Sequence, residues 1–226
     1  MTYEATRARV ETYFDSHATE VWARLTSDAP VSRIRQTVRQ GRDAMRAQML
    51  ARLPGDLRGA RVLDAGCGAG QMTAELAARG AEVVACDISP SLVDIARDRL
   101  SPALRERVTF RAGDMLDPAL GRFDHVMAMD SLIYYSTPDL AAALAALAER
   151  TDSGIVFTVA PRTPALMAMW HAGKLFPRSD RSPTMVPQSD RRLARALQAA
   201  HETARLVPLD RISSGFYISQ AMEVQP

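Results

Sequence analysis

Hydrophobic positions fall into two regimes along the chain. From residue 61 to about 160, short apolar runs alternate with alanine-rich stretches. The runs cover 61–65, 82–86, 108–111, 123–129 and 154–160, and are bounded by Gly, Asp or Pro. Short Val-, Ile-, Phe- and Met-rich runs between turn residues read as strands. The stretches between them, 71–79, 90–100 and 138–150, read as helices. Two of these open on Ser89–Pro90 and Thr137–Pro138, a capping residue followed by proline at the first helical position. Such alternation implies right-handed βαβ units and a parallel sheet buried on both faces.

The flanks are patterned differently. Before residue 61 there is no strand signal, and 4–26 and 30–53 read as two helices, the second capped by Asp28 with Pro30 early in it. In the second helix Val31, Ile34, Val38, Met45 and Met49 fall on a broadly apolar side. Arg35, Arg39, Arg42 and Arg46 recur at i, i+4, i+7 and i+11 and line up on another side. Residues 53–59 carry Pro54, Gly55 and Gly59 as hinge candidates. After Pro161 come a helix to about Gly173, a proline-containing loop over 174–188, and a helix over 190–201. Two strands follow, 204–213 and 216–223, joined by a turn at Ser214–Gly215. The expected organisation is a helical arm or lid over 1–58 and a core over 59–226, with a substrate-side insertion at about 161–189.

Composition narrows the class. A chain of 226 residues, 47% hydrophobic and 24% charged, can bury a large core without disulfides or a structural metal. A net charge of +2 gives no global field for nucleic acid, and none is expected as a partner. Cys67 and Cys86 lack metal-site spacing and read as small reduced core residues. The histidines His17, His125, His171 and His201 show no ligand spacing, so no protein-bound metal is expected. Glu4, Arg7 and Arg9 interrupt any secretory signal, and no apolar run approaches the roughly 20 residues of a membrane span. A cytoplasmic or peripherally membrane-attached protein is expected.

The most specific segment is Val62-Leu63-Asp64-Ala65-Gly66-Cys67-Gly68-Ala69-Gly70. A strand runs into three alternate glycines and then a helix, so a ligand can approach the backbone where side chains would collide. The spacing is G-x-G-x-G rather than the dinucleotide G-x-G-x-x-G. Asp64, two before the first glycine, suits a ligand carrying an ammonium group and would repel a pyrophosphate. Asp87 ends the next strand, where a carboxylate accepts ribose hydroxyls. Gly113-Asp114-Met115 ends the third, where a carboxylate accepts an adenine amino group.

These motifs resemble class I S-adenosylmethionine methyltransferases, over residues 61–160 and again over the 204–223 hairpin. The resemblance implies a Rossmann-like α/β fold with a seven-stranded, mostly parallel sheet and a C-terminal antiparallel hairpin. S-adenosylmethionine would be the methyl donor. It also implies that Asp64, Gly66, Gly68 and Gly70 line the methionine part. Asp87 and Ile88 would hold the ribose, Asp114 and Met115 would flank the adenine, and Met129 and Asp130 would face the transferring methyl.

The arm carries a narrower resemblance. Tyr13-Phe14-Asp15, Trp22 and Arg33-Ile34-Arg35-Gln36-Thr37-Val38-Arg39-Gln40-Gly41-Arg42 resemble Mg-protoporphyrin IX O-methyltransferases. Asp130-Ser131-Leu132-Ile133-Tyr134-Tyr135, the stretch from Phe157 to Thr163, and Lys174-Leu175-Phe176-Pro177 continue it. Plant and cyanobacterial members are expected to carry histidine where this chain has Tyr134. The acceptor so implied is a propionate of Mg-protoporphyrin IX, with magnesium arriving inside the substrate. A hand-over partner, the porphyrin-binding subunit of magnesium chelatase, is implied too. Tyr13 and Tyr134 would orient the reacting carboxylate, while Arg35, Arg39, Arg42 and Arg162 would grip the other propionate. Trp22, Met167, Met169, Trp170 and Phe176 would line an apolar slot. A methyltransferase for a quinone precursor and a non-catalytic cofactor-binding subunit are the alternatives.

Overall fold

The computed structural model describes residues 2–15, 19–26, 30, 32–164, 166–167 and 183–226. Three helices precede the first strand: α1 (Tyr3–Tyr13), α2 (Thr19–Leu25) and α3 (Arg33–Leu50). The alternating part contains β1 (Arg61–Ala65), α4 (Gln71–Ala78), β2 (Glu82–Asp87), α5 (Pro90–Arg99), α6 (Pro102–Arg105) and β3 (Val108–Ala112). It continues through β4 (Phe123–Ala128), α7 (Thr137–Ala148) and β5 (Thr151–Val159). The chain ends with α8 (Asp190–Ala200), β6 (Arg205–Ser214) and β7 (Tyr217–Gln225). One seven-stranded sheet runs in the order β3-β2-β1-β4-β5-β7-β6. β1 to β5 pair in parallel, and β7 lies antiparallel to both β5 and β6. The parallel sheet and terminal strands expected from the pattern, and the Rossmann-like arrangement implied by the resemblance, are present.

Side-chain alternation along the strands splits the core in two. Leu63, Val126, Ile155 and Phe157 face a layer with Leu140 and Leu144 of α7 and Leu193 and Leu197 of α8. Val62, Met127 and Val156 face the other way, onto Met45 and Met49 of α3 and Met72 and Leu76 of α4. The third arm helix is therefore a layer of the core, with Met45 and Met49 fully buried. The hinge candidates sit in a segment anchored by buried Leu53 and Leu57.

Several local expectations are corrected. The single helix over 4–26 is broken: Phe14 and Asp15 form a wider turn, and the Asp15 carboxylate accepts the Ser89 hydroxyl at 2.7 Å. Ser32, not Asp28, caps α3 by accepting the Arg35 N–H at 3.4 Å; Asp28 and Val31 lie outside the described residues. Ile34 is 56% exposed, and just after it the Ser214 hydroxyl donates to the Thr37 carbonyl, tying α3 to the end of β6. Ser136 takes the cap of α7, so Thr137 is helical, and β5 starts at Thr151, paired with Phe123. The hairpin turn is Gly215–Phe216, one residue later than expected. The helix expected from Pro161 to Gly173 and the loop over 174–188 lie largely outside the described residues.

Candidate active site

All four acidic candidates sit at or just beyond the carboxyl ends of β1 to β4, the crevice where open α/β sheets bind ligands. A cavity of about 900 Å³, mouth included, opens there. Asp64, Gly66, Gly68, Asp87, Ile88, Asp114, Met115, Met129 and Asp130 all line it. Gly70 does not. It holds φ of +84° at the start of α4, and an added Cβ would come within 3.0 Å of Ala96 Cβ, so it serves the approach of α4 to α5.

The glycine turn leaves room for a ligand in a definite way. Gly66 and Gly68 have φ of +83° and +52°. A Cβ on Gly66 would collide with Ser131, and one on Gly68 would lie 3.2 Å from Trp22 Nε1. Beneath the turn, the Asp64 carboxylate is buried and accepts the Thr73 hydroxyl at 2.6 Å. Burial pushes its pKa up to about 7, as expected for an acid awaiting a cation. Asp87 accepts the Gly68 N–H at 2.8 Å and the Ser89 N–H at 3.0 Å, yet burial still raises its pKa. Burial also raises both thiols, Cys86 to about 12, so neither is a thiolate nucleophile. These residues fit S-adenosylmethionine: space over the turn, a carboxylate for the ammonium, and acceptors at the ends of β2 and β3.

The far wall is built by the arm. Tyr3, Arg7, Val10, Phe14, Trp22 and Arg42 line the same cavity. Tyr3 donates its hydroxyl to Asp114 at 2.8 Å and stacks on Tyr135, ring centroids 4.7 Å apart. Arg7 pairs with the other Asp114 oxygen at 2.8 Å. At the opposite end Arg42 pairs with Asp130 and stacks on Trp22, 4.5 Å from the ring centroid. Asp130 has φ of +57°, in the left-handed region that Asp tolerates better than most residues. Its N–H bonds the Thr158 hydroxyl at 2.8 Å, and Tyr217 donates to its carboxylate at 3.2 Å.

The expected acceptor residues fare less well. The arginine stripe divides. Arg35 is exposed, and Arg39 is spent on the Leu25 and Arg24 carbonyls, tying α3 to α2. Arg42 and Arg46 reach the cavity. The four share one side of α3, and what separates Arg35 from Arg42 is the rise of about 10 Å along the helix axis. Arg162 is exposed and away from the cavity, its N–H bonded to the Gln188 carbonyl. Tyr13 and Tyr134 do not line the cavity; both rings pack edge-on against Phe14, which does. Trp170, Phe176 and Met169 lie outside the described residues, as do His17 and His171. Tyr3, Arg7 and Tyr217 carried no motif, and nothing local in the sequence marks them; Tyr135 stood in a resembling stretch but was given no role.

The model of a methyltransferase domain matches residues 62–154, and that of the magnesium-protoporphyrin IX methyltransferase C-terminus matches 128–226. A magnesium-protoporphyrin O-methyltransferase from Rhodobacter capsulatus is 60% identical over 99% of this chain and 98% of its own. The chain belongs to the magnesium-protoporphyrin O-methyltransferase family. A Synechocystis PCC 6803 relative of the same description is 33% identical over 74% of each chain. The crystal structure of the Synechocystis magnesium protoporphyrin IX methyltransferase with bound SAH superposes with a TM-score of 0.81. It is 28% identical, covering 97% of this chain and 99% of that one. The family is one of class I enzymes with S-adenosylmethionine as methyl donor, and this fold and cavity conform to it.

Proposed function

We propose that the protein transfers the methyl group of S-adenosylmethionine to a propionate carboxylate of Mg-protoporphyrin IX, giving the monomethyl ester on the route to chlorophyll or bacteriochlorophyll. The observation that carries this reading is the likeness to the Rhodobacter capsulatus enzyme along the whole length, arm included. A shared methyltransferase core alone would not name an acceptor.

The chemistry asks little of the protein in proton transfer. The donor supplies an electrophilic methyl on a sulfonium. A propionate with a pKa of about 4–5 is already ionised at neutral pH. One O–C bond forms, one S–C bond breaks, and no proton moves. Positioning and desolvation are then the main tasks. Burial, with Asp130 and Tyr13 nearby, pushes the Tyr134 pKa well above its ordinary value. It therefore stays protonated and serves as a hydrogen-bond donor to the acceptor carboxylate, not as a base. In this reading Tyr13 works beside it, and Trp170 and Phe176 belong to the acceptor slot. Helices α1 and α2 act as the lid that excludes water. No described helix is long and apolar enough to cross a membrane. A cytoplasmic enzyme at the membrane periphery, receiving porphyrin from the porphyrin-binding chelatase subunit, fits an apolar, poorly soluble substrate.

The test is direct. The protein is incubated with labelled S-adenosylmethionine and Mg-protoporphyrin IX, and the product is weighed by mass spectrometry. A monomethyl ester is expected. Labelling of a quinone precursor in preference to the porphyrin would overturn the reading.

A further inference from the structure

The stretch between β4 and α7 carries two adjacent tyrosines that face different neighbours. The Tyr135 ring lines the cavity and stacks on Tyr3, while the Tyr134 ring packs against Phe14. The stretch forms neither helix nor strand, and a backbone bond inside it, from the Tyr135 N–H to the Leu132 carbonyl, is long at 3.5 Å. Regular structure therefore does not fix the backbone here, and partners for its carbonyls have to come from elsewhere.

Both carbonyls that flank Tyr134 are taken by the segment just before α8. The Val186 N–H donates to the Ile133 carbonyl at 2.8 Å, and the side-chain amide of Gln188 donates to the Tyr135 carbonyl at 2.9 Å. Pro187 between them has no N–H, and the Gln188 N–H goes to the Ala160 carbonyl at 2.8 Å, so the second donor is a side chain. The other end of that amide is engaged as well: the Thr137 hydroxyl donates to Gln188 Oε1 at 2.8 Å. The Gln188 carbonyl accepts the Arg162 N–H at 2.9 Å, beside the parallel bridge between Pro161 and Gln188. Gln188 is 1% exposed. One buried residue thus joins the end of β5, the start of α7 and the peptide that follows Tyr134. Packing alone would be served by an apolar side chain of the same length. A buried amide with these partners holds one geometry, because any other leaves buried polar groups unpaired.

We propose that Gln188 is a positioning residue for methyl transfer, one that holds the backbone of Tyr134 and Tyr135 and so sets the acceptor carboxylate against the bound donor. This rests on the role given above to the Tyr134 hydroxyl. Methyl transfer needs the acceptor oxygen opposite the breaking S–C bond, and a misplacement of about 1 Å can cost roughly a hundredfold in rate. The cavity carboxylates Asp64, Asp87 and Asp114 stand at the ends of β1 to β3, away from Gln188, and Asp87 and Asp114 have hydrogen-bond partners of their own there. Donor binding should therefore survive a change at Gln188 that slows transfer.

Kinetics and calorimetry on the full-length protein test this. Gln188→Met keeps the length and the burial and removes the amide. Its kcat with Mg-protoporphyrin IX, counted per S-adenosylhomocysteine site found by calorimetry, should fall about ten- to hundredfold. S-adenosylhomocysteine affinity should stay nearly unchanged, which also certifies the fold. Thr137→Val removes only the hydroxyl on Oε1 and should lower kcat by less; Thr137→Ser should restore it. That pair carries the test if Gln188→Met does not fold. Tyr134→Phe should lower kcat by itself, and adding Gln188→Met to it should cost less than Gln188→Met alone, because both act on one hydroxyl. Losses that simply multiply, a wild-type kcat per site, or a loss of S-adenosylhomocysteine binding that matches the loss of activity would overturn the proposal. An unchanged kcat in Tyr134→Phe would remove that hydroxyl from the reaction and the proposal with it. A wild type that esterifies no porphyrin would instead bring down the proposed function itself.

Discussion

Helices α1 and α3 both precede the first strand, and they join the molecule by opposite means. α3 buries Met45, Met49 and Leu50 against the sheet and needs Gly41 to come close enough to Tyr217. α1 buries only Thr6 and Val10 and is held to the rest by polar groups, Tyr3 and Arg7 on Asp114, with Tyr3 stacked on Tyr135. Apolar burial is non-directional and large, and it fixes α3 as part of the core. A hydrogen bond and a partly exposed ion pair are individually small and are made with a residue of the ligand cavity. The difference teaches that a stretch lacking strand signals need not be a single appendage. One helix is held by the core and lends Arg42 and Arg46 to the cavity, and the other is held by the cavity's own polar groups.

The sharpest way to break this contrast is to cut into α3. Met49→Ala removes a fully buried side chain and should cost about 2–5 kcal/mol, a fall in Tm of roughly 5–15 °C by calorimetric scan. A loss no larger than that of a surface change would mean α3 is no core layer.

The cavity side carries a pH signature that the methionine layer lacks. In the fold the Asp64 pKa stands at about 7, above its ordinary value, so the uncharged acid is favoured. Its contribution is complete below the ordinary carboxylate range near about 4 and is lost as pH rises through about 7. The ligand-free protein should therefore lose several degrees of Tm between acid and mildly alkaline pH. Asp64→Asn should flatten that slope. S-adenosylhomocysteine should restore the wild type most at the alkaline end, where the carboxylate meets its ammonium, and the variant hardly at all. Identical slopes for the two proteins would remove Asp64 from the account.

A smaller effect is expected for α1. Tyr3→Phe deletes one hydrogen bond to Asp114, on the order of 1 kcal/mol. S-adenosylhomocysteine affinity should weaken about three- to tenfold while Tm moves little. A lowered Tm with unchanged affinity would place α1 with α3. Smallest of all is Arg35→Ala. This side chain is exposed, so stability should change by less than about 0.5 kcal/mol, with porphyrin KM unaltered. A raised KM would return the whole arginine stripe to the acceptor.

Legibility followed the range of the contacts. Asp64, Gly66, Gly68 and Asp87 were readable because a strand, a turn and a helix start lie within a few residues of one another. The turn's need for positive φ shows in glycine itself. Arg35 and Arg39 do not line the cavity while Arg42 and Arg46 on the same side do, because periodicity gives the angle between side chains on a helix but not which of its turns lies over the cavity. Tyr13 and Tyr134 were read into the site from resemblance, while Tyr3, which lines the cavity and stacks on Tyr135, has no local mark.

By itself, then, the chain determined the order of strands and helices, the carboxylates at the strand ends and the glycine turn, since each follows from local sterics and from the period of apolar side chains. Tertiary structure alone decided that Gly41 faces Tyr217, that Arg42 pairs with Asp130 across 88 residues of chain, and that Tyr3 reaches Asp114 across 111. Those pairings depend on how α1 and α3 pack onto a finished sheet, and burial drives that packing without regard to sequence distance.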